Sequence, residues 1–422
     1  MTIQKPRGTR DLYEQDIIVY RNIINILQTC AAKYNYQEFI TPTFEDAQLF
    51  LRAVGVTTDI IQKEIYQFND KGDRTLALRP EGTAGLVRAV IENKLYKPKQ
   101  TLKYFYYGSM FRYERPQKGR QREFNQFGIE TIGTNHPLSD VEVIMMAINM
   151  MEDLEISNLS LNINYFGSDE TKNKYQVILK EHLISKKSQF CENCQMRTLT
   201  NPIRVLDCKT CHKLSLDIPK ITEILSPIEQ VNFALITETL TKHNISFKID
   251  EYLVRGLDYY TGIIFEITSS NPRIGETQNA LIGGGRYDNL LQQLGSPLAI
   301  PAIGFAIGIE RLMLLLSNNK QVNRKPIMQL QIIALSDNAL NMMSWLLQQL
   351  RNKNYQVDGE YHRFQDKHKS QIIDRTKAYN LLFLKDETAA TIYSYDKKVM
   401  IPIQFKGNND LLQQIINRLK EQ

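Results

Sequence analysis

The residues with the clearest chemical potential are the arginines clustered between positions 112 and 122. Four arginines and a lysine stand there against a single acid, Glu114, and the basic residues are Arg112, Arg115, Lys118, Arg120 and Arg122. A guanidinium binds two phosphate oxygens at once, whereas a lysine acts as a point charge. The cluster therefore predicts a site for a polyphosphate or a nucleic-acid end. A solvated hairpin tip is the alternative, but Arg112 lies in an apolar strand pattern, where a charge needs a partner.

Four further segments place polar residues beside glycines or at helix starts. Glu81 lies where a predicted strand meets a predicted helix, so it is either a ligand-facing carboxylate or an acid that stabilises the helix start. The segment 254–262, VRGLDYYTG, predicts a binding loop, with a tyrosine-rich strand corner as the alternative. Glycines at 283–285 let the backbone approach a ligand closely. Arg311, in the first turn of a predicted helix, would meet either an anion or a surface acid.

The cysteines form a separate pattern. Four of the five occur as two Cys-x2-Cys pairs with thirteen residues between them: Cys191, Cys194, Cys208 and Cys211. This spacing is typical of a closed zinc site with four thiolates. Four unligated thiols in an insertion, at about 169–228, are the alternative.

The elements that must position these residues follow from hydrophobic periodicity. An aromatic alternation from Tyr104 predicts a strand that enters the basic loop, and a second strand leaves it at 124–128. A long helix at 12–34 runs into a strand at 37–41, an arrangement that suits either a dimer interface or a surface helix. Other helices are predicted at 83–93 and 140–151, and other strands at 159–164, 247–252 and 263–268.

The last hundred residues follow a polar linker at 317–324 and alternate strands with helices, which predicts a compact three-layer α/β module. The predicted strands are 329–335, 355–359, 381–384 and 399–405, and the predicted helices are 339–353, 365–377 and 409–419. One basic and aromatic group would suit RNA, although a solvated face fits equally well: Tyr361, His362, Arg363, Phe364, Lys367, His368 and Lys369.

Composition limits the class of protein. Lys and Arg exceed Asp and Glu by 52 to 46, a mild excess that permits a nucleic-acid partner. The longest apolar run, 300–316, is interrupted by Glu310 and Arg311, so we expect no membrane span. The charged first eleven residues do not resemble a signal peptide. Together with five cysteines, this predicts a soluble protein of the reducing cytoplasm.

Taken together, these segments resemble the histidyl-tRNA synthetases of bacterial type, which are class II aminoacyl-tRNA synthetases. The segments are KPRGTRD at 5–11, TPTFED at 41–46, LRPEGTAG at 78–85, MFRYERPQKGRQREFNQFGIE at 110–130, RGLDYYTG at 255–262, GGGRYDNL at 283–290 and IGFAIGIERL at 303–312. RGLDYYTG and GGRYD resemble two histidine-specific segments that sister synthetases lack. The resemblance weakens in the cysteine-bearing insertion and after residue 324, and the family does not generally need zinc.

The resemblance implies an α+β fold. A class II catalytic domain at 1–320, with the insertion at about 169–228, would contain an antiparallel sheet of about six strands flanked by helices. An α/β anticodon-binding domain at 326–422 would follow, usually in a homodimer. The implied reaction activates L-histidine with ATP and Mg²⁺ to histidyl-adenylate, and then transfers the histidyl group to the 3′ end of histidine tRNA.

It also implies roles for individual residues. Arg112 and Arg255 would flank the α-phosphate as the catalytic pair. The ATP-binding residues would be Arg112, Glu114, Arg120, Phe124 and Arg311. The histidine-binding residues would be Glu81, Thr83, Arg112, Gln126, Glu130, Arg255, Tyr259, Tyr260 and Tyr287. The acceptor end of the tRNA would meet Arg115 and Gln117.

Three other functions compete with this interpretation. A paralogue of the same fold regulates ATP phosphoribosyltransferase, but such proteins tend to lose the catalytic arginines and the terminal domain. A sister synthetase for glycine, threonine or proline would not need Tyr260 and Glu130, which suit an imidazole. A pure RNA-binding scaffold would not need Glu81 and Gln126 beside a strand of phosphate-binding arginines.

Overall fold

A computed structural model describes residues 2–55, 58–208, 210–211, 218–275, 279–317, 319, 328–361, 364, 366–375 and 378–420. The chain divides into two compact units, Met1–Arg324 and Lys325–Gln422. The helices are α1 Glu14–Lys33, α2 Ala47–Val54, α3 Thr83–Glu92, α4 Pro137–Asp153, α5 Asp169–Ile184, α6 Glu192–Thr200, α7 Ile203–Leu206, α8 Pro227–Lys242, α9 Leu290–Gln293, α10 Ile309–Leu316, α11 Asp337–Arg351, α12 Lys369–Arg375 and α13 Asn408–Lys420.

The strands of the first unit are β1 Gln37–Glu38, β2 Phe44–Asp46, β3 Gln67–Asn69, β4 Thr75–Leu78, β5 Leu102–Phe111, β6 Glu123–Ile132, β7 Leu159–Tyr165, β8 Phe247–Ile249, β9 Thr261–Ser269, β10 Ala280–Arg286 and β11 Ala302–Gly308. Those of the second unit are β12 Leu330–Ala334, β13 Val357–Glu360, β14 Asn380–Leu384, β15 Ala389–Ser394 and β16 Val399–Gln404.

The first unit is built on a sheet of eight strands in the order β1-β5-β6-β11-β10-β9-β7-β8. The six strands from β5 to β7 in this order pair antiparallel. The short edge strands β1 and β8 pair parallel with their neighbours. The expected antiparallel sheet of about six strands is confirmed, and β2, β4 and β3 form a separate small sheet.

Helices cover both faces of the large sheet. Its first face packs against α1, α4, α8 and α10 in one apolar cluster. The long helix α1 contributes Ile23, Ile24 and Leu27 to that cluster, so its apolar stripe packs inside the unit. The second face packs against α2, α3 and α9 and against α5, α6 and α7 of the insertion. The insertion is therefore part of the core beneath the sheet.

Two strands are shorter than their sequence patterns predict. The strand expected at 37–41 ends at Glu38. The Phe39 N–H still donates to the Phe105 carbonyl at 2.8 Å, but the Thr41 carbonyl accepts from the Arg79 guanidinium at 3.1 Å. The strand expected at 247–252 ends at Ile249, because Asp250 starts a turn in which its side chain accepts from the Tyr252 N–H at 3.0 Å. Side-chain hydrogen bonds to the backbone end both strands.

The second unit contains a five-stranded mixed sheet in the order β13-β12-β14-β15-β16. Helices α11 and α13 pack on one face, and α12 packs on the other through Ile372. This arrangement has the three layers that the alternating pattern predicts. The strand β15, which was not predicted, pairs antiparallel with β14 and β16.

Some predictions fall on residues that the structure leaves out. His362 and Arg363 of the basic group lie outside the described residues, as do most of the linker at 317–324 and both ends of the helix expected at 365–377. In the described parts of the chain, every helix is too short or too polar to cross a lipid bilayer.

Candidate active site

A cavity of about 510 Å³ opens on the second face of the large sheet. Its lining includes all thirteen residues predicted to bind histidine or ATP: Glu81, Thr83, Arg112, Glu114, Arg120, Phe124, Gln126, Glu130, Arg255, Tyr259, Tyr260, Tyr287 and Arg311. They come from β6, the loop between β5 and β6, the loop before β9, the position directly after β10, and the starts of α3 and α10. The sheet thus brings together segments that are far apart in the sequence.

One end of the cavity is organised around Glu130, which is 1% exposed. Its carboxylate accepts hydrogen bonds from the hydroxyl groups of Thr83, at 2.6 Å, and Tyr287. Burial raises the pKa of Glu130 to about 8, although these two hydrogen bonds lower it. Gly304 lies opposite Glu130 in the pairing of β11 with β6, and a Cβ there would lie 1.9 Å from Glu130 Oε2. The carboxylate fits only because residue 304 has no side chain.

Aromatic rings form the wall beside Glu130. The Tyr259 ring lies 4.8 Å from the Tyr260 ring and 5.6 Å from the Tyr287 ring, measured between centroids. Burial raises the pKa of Tyr260 to about 12, so its phenol stays protonated and remains a hydrogen-bond donor near neutral pH. The pocket thus combines a buried carboxylate with phenol groups, which suits a small ligand that has both apolar and polar edges.

Glu81 both stabilises the start of a helix and faces the cavity, as the two alternative predictions for it required. Its carboxylate accepts the N–H groups of Thr83 at 2.7 Å and Ala84 at 2.8 Å, as an acid at the start of α3 should. It also lines the cavity. Burial raises the pKa of this carboxyl group, and the two N–H groups oppose that change.

The catalytic pair that the resemblance implies, Arg112 and Arg255, lines the same cavity, and both residues are half-buried. Arg112 directly follows β5, donates from Nε to the Pro80 carbonyl at 2.9 Å, and holds its Cζ 5.3 Å from the centroid of the Phe124 ring. Burial lowers the pKa of Arg112, while Glu64 and Glu81 raise it. Two acids therefore stabilise the positive charge of Arg112, as expected for a charge that follows an apolar strand.

Arg255 is held by a carboxylate that the sequence did not single out. It pairs with Glu266 of β9. Burial opposes the charge of Arg255, but Glu266 and neighbouring groups raise its pKa overall. Its Nε is buried and has no hydrogen-bond partner among the described residues. Gly283 of β10 makes room for the guanidinium, because a Cβ at residue 283 would lie 1.7 Å from Arg255 Nη2.

Two more arginines complete a cationic wall. Arg120 forms an ion pair with Glu114, and Arg311 donates to the backbone carbonyl of Ala280, not to the surface acid that was the alternative. Burial lowers the pKa of Arg311, and Arg120, Arg255 and Arg112 lower it further. Four guanidinium groups that repel one another in one cavity favour the binding of an anion with several charges.

The residues expected to meet tRNA lie elsewhere. Arg115 and Gln117 are exposed on the loop between β5 and β6, outside the described lining of the cavity. The loop closes in a tight turn, in which Gln117 and Arg120 exchange backbone hydrogen bonds of 3.0 and 2.9 Å.

Sequence reasoning missed five polar residues of the lining, namely Gln121, Asp207, Glu266, Asn279 and Glu310. Glu266 carried a signal, since it is the only acid in the apolar strand β9. Asp207 carried none, because it belongs to the insertion and reaches the cavity only through the tertiary fold.

The four paired cysteines lie together in the insertion, with their sulfur atoms within 4.8 Å of one another. Cys191 Sγ is 3.9 Å from Cys208 Sγ, and the Cys191 N–H donates to Cys211 Sγ at 3.3 Å. Tetrahedral zinc with bonds of about 2.3 Å holds its sulfurs roughly 3.8 Å apart. The donor set and its geometry fit a structural zinc ion.

Comparisons with known proteins identify the family of this chain. The sequence model of the family "Histidyl-tRNA synthetase" matches residues 8–168 and 193–312. A histidine–tRNA ligase of Clostridioides difficile is 43% identical over 86% of both chains, and one of Shouchella clausii is 41% identical over 92% of both. The crystal structure of apo S. aureus histidyl-tRNA synthetase superposes with a TM-score of 0.80 at 32% identity, covering 98% of this chain and 99% of that one. The chain belongs to the histidyl-tRNA synthetase family.

Proposed function

We propose that the cavity activates L-histidine with ATP and presents the product to the tRNA acceptor end. As a family member, the chain is an ATP-dependent histidine–tRNA ligase, so histidine, ATP and histidine tRNA are its substrates. The observation that carries our assignment of this chemistry to the cavity is the wall of four mutually repelling arginines beside the pocket of Glu130. A triphosphate would offset the charges of the four arginines, and an imidazole would form hydrogen bonds with the polar groups of the Glu130 pocket.

The order of residues along β6 supports one orientation of the substrates. Phe124, Gln126 and Glu130 alternate along the strand, so their side chains point to the same face. At about 3.4 Å per residue, the distance from 124 to 130 is roughly 20 Å. That span accommodates adenine at Phe124, the α-phosphate and the histidine ammonium near Gln126, and the imidazole at Glu130.

In the first step, a carboxylate oxygen of histidine attacks the α-phosphorus of ATP and forms a new P–O bond. The bond to the β-phosphate oxygen breaks, and pyrophosphate leaves with the electron pair. Arg112 and Arg255 bind the α-phosphate from two sides and neutralise the charge that grows on its oxygens, which is the main catalytic contribution in phosphoryl chemistry. Because both residues are half-buried, water screens their charges less than it would on an exposed surface.

Arg120 and Arg311 bind the outer phosphates, and Glu114 with Phe124 holds adenine. Mg²⁺ bound with ATP would supply positive charge that offsets the negative charge of the phosphates. Glu266 and Glu310 are the carboxylates of the lining that would be available to it or to its waters, and Glu266 already interacts electrostatically with Arg311.

Histidine is recognised at both of its ends. Glu81 and Gln126, with Thr83 at the start of α3, bind the ammonium group, which needs acceptors in a closed pocket. Glu130 and Tyr260 address the two imidazole nitrogens, while Tyr259 and Tyr287 enclose the ring. A site built on such polar contacts rejects analogues that lack them by roughly 10⁴- to 10⁵-fold.

In the second step, a terminal ribose hydroxyl of the tRNA attacks the histidyl carbonyl carbon, and AMP leaves. Arg115 and Gln117, exposed on the loop above the cavity, contact the acceptor end. The second unit binds the anticodon. Its exposed Tyr361 and Lys367 are the first residues to replace, with kcat/KM for tRNA as the measurement. A change limited to the first-step rate would argue against that role.

Pyrophosphate exchange into ATP, measured with each of the twenty amino acids, tests the proposed chemistry. We expect exchange with histidine alone. Exchange with several amino acids would contradict the proposed pocket. No exchange at all would favour the regulatory paralogue of ATP phosphoribosyltransferase, the alternative that the ligase relatives and the four arginines do not favour.

We further propose that Cys191, Cys194, Cys208 and Cys211 bind one structural zinc ion. The expected result is one zinc per chain by elemental analysis of protein purified without added metal, and less than a tenth of that in the Cys208→Ser/Cys211→Ser variant. Cys30→Ser is the matched control, because Cys30 is a buried cysteine outside the cluster. Protein that folds with no zinc, and takes up none when it is supplied, would remove this site.

Two further properties are proposals. A homodimer is supported by the apolar residues exposed on the small sheet, where Phe44 and Phe68 are 53% and 43% exposed and their rings lie 6.3 Å apart. Sedimentation equilibrium should give the mass of two chains, and the mass of one chain would refute the dimer.

We place the protein in the cytoplasm because its five cysteines form no disulfide bonds and tRNA is its substrate. Fractionation of cells tests this location.

A further inference from the structure

The insertion makes direct hydrogen bonds to the histidine loop, by which we mean residues 254–260. Arg204 of α7 is 6% exposed and donates from Nη1 to the Arg255 carbonyl at 2.6 Å. Its Nη2 and Nε donate to Asp258 Oδ1 at 2.8 and 3.2 Å. One guanidinium thus links the backbone of a catalytic arginine to a side chain three residues further along the loop.

Other groups of the insertion reinforce this link. Asn201 Nδ2 lies 3.3 Å from Asp258 Oδ1, and Lys172 Nζ donates to the carbonyls of Asp258 at 2.7 Å and Tyr260 at 2.8 Å. Asp207 lines the cavity itself and interacts electrostatically with Arg255. The histidine loop is therefore positioned largely by residues outside the sheet.

The residues that make these contacts lie between the two cysteine pairs. Asn201, Arg204 and Asp207 belong to the segment 195–207, which begins directly after Cys194 and ends directly before Cys208. Since the sulfurs at its two ends lie within 4.8 Å of one another, a metal bound there closes the segment into a ring. Closing a flexible loop lowers its conformational freedom, and α7, with only four residues, cannot be held by its own hydrogen bonds.

The cysteine site and the tyrosine wall also share one apolar core. Buried Cys194 and Cys211 belong to the same cluster of packed side chains as Tyr259 and Tyr260. A rearrangement of the cysteine site would therefore reach the pocket through packing as well as through Arg204.

We propose that metal bound by the four cysteines sets the rate of histidine activation, because it fixes α7 and, through Arg204, the position of Arg255. Arg204 is then a positioning residue of the first step. This inference rests on the proposed zinc site and on the proposed role of Arg255. A displacement of about 1 Å at a reacting group can cost roughly 10²-fold in rate, so a modest loosening of α7 is enough.

The test compares zinc-loaded and chelator-treated enzyme in two forms, the wild type and Arg204→Met. We expect chelation to lower kcat for histidine-dependent pyrophosphate exchange at least about tenfold in the wild type, within the usual range of coupling between sites. Arg204→Met should start with a similarly low kcat and lose less than about twofold on chelation. Hydrogen exchange of the backbone at 254–260 should rise on chelation in the wild type and should already be high in the variant.

Four results separate the possible failures. An equal loss on chelation in both forms would overturn the role of Arg204, and so would unchanged kcat and loop exchange in zinc-free wild type. Enzyme that neither contains nor accepts zinc would overturn the coupling together with the metal site. If the zinc-loaded wild type shows no histidine-dependent exchange, the proposed chemistry fails, and the hydrogen-exchange comparison still decides whether the coupling exists.

Two further variants guard against misfolding. Asp258→Asn weakens the same link from the loop side without emptying the space of a buried arginine, and it should reproduce the reduced response to chelation. Lys174→Met, which removes an exposed ion pair with Glu170 on α5, should respond to chelation as the wild type does. A full response to chelation in folded Asp258→Asn would contradict the link through Arg204.

Discussion

Replacing Arg255 with alanine is expected to lower the rate of histidyl-adenylate formation roughly 10²- to 10³-fold while histidine binding stays measurable. Arg255 is half-buried, its buried Nε has no hydrogen-bond partner among the described residues, and it lines a cavity that holds three more arginines. The charge on the α-phosphate grows in the transition state, so the lost contribution falls mainly on kcat. Pyrophosphate exchange measures the rate, and calorimetry with histidine measures binding.

The alanine variant also leaves the Glu266 carboxylate without its partner, which by itself destabilises a buried site. The double variant Arg255→Ala/Glu266→Gln separates the two effects, because it should regain thermal stability without regaining exchange. Arg74→Ala is the surface control, since the Arg74 side chain is 77% exposed in its ion pair with Asp70. Exchange like that of the wild type in folded Arg255→Ala would remove Arg255 from the mechanism.

The site was more predictable from sequence than the fold that surrounds it. Arginines in a strand-loop pattern and glycines at strand ends indicate close ligand contact locally, and the family resemblance then gave each residue a role. Glu81 shows the limit of local reasoning. Helix capping and ligand contact were alternatives in the sequence, but one carboxylate caps α3 and also lines the cavity.

What the sequence could not supply were contacts between distant segments. The resemblance alone predicted the antiparallel pairing of the six central strands. Alternation along a strand does not show which other strand pairs with it. The helices α5 to α8 were not predicted, and neither were the positions of Arg204 and Asp207. Their polar side chains look like those of a solvated insertion until the tertiary fold places them against the histidine loop.

In the proposed mechanism, these contacts give the insertion a role in the first step of the reaction. The sheet positions Glu130 and Gln126 through regular strand pairing, which tolerates little movement. Arg255, by contrast, lies on a loop that depends on α7 for its place. The cavity thus combines residues of regularly paired strands with Arg255, the proposed catalytic residue, whose position depends on contacts with the insertion.

Glu130→Gln is expected to lower kcat/KM for histidine roughly 10²-fold, which corresponds to about 3 kcal/mol for a lost charge-assisted hydrogen bond in a buried pocket. The neutral amide keeps the shape of the side chain and contacts with Thr83 and Tyr287, so the fold should persist. Glu123→Gln is the matched control, because Glu123 lies on the same strand and points to its other face. An unchanged kcat/KM in Glu130→Gln would exclude the carboxylate from imidazole recognition.

The pH dependence gives a second test of Glu130. Burial raises its pKa to about 8 from an ordinary value of 4.5, so the empty pocket holds a neutral carboxyl group at pH 7. If the imidazole N–H needs the carboxylate, the ratio of kcat/KM between wild type and Glu130→Gln should rise by roughly fivefold or more from pH 7 to 8.5.

The raised pKa of Glu130 also contributes to the stability of the fold. This contribution is complete below about pH 4.5 and is lost as the pH rises through 8. The ligand-free variant should therefore melt at a higher temperature than the wild type at pH 9, and identical pH profiles of both quantities would refute the assignment.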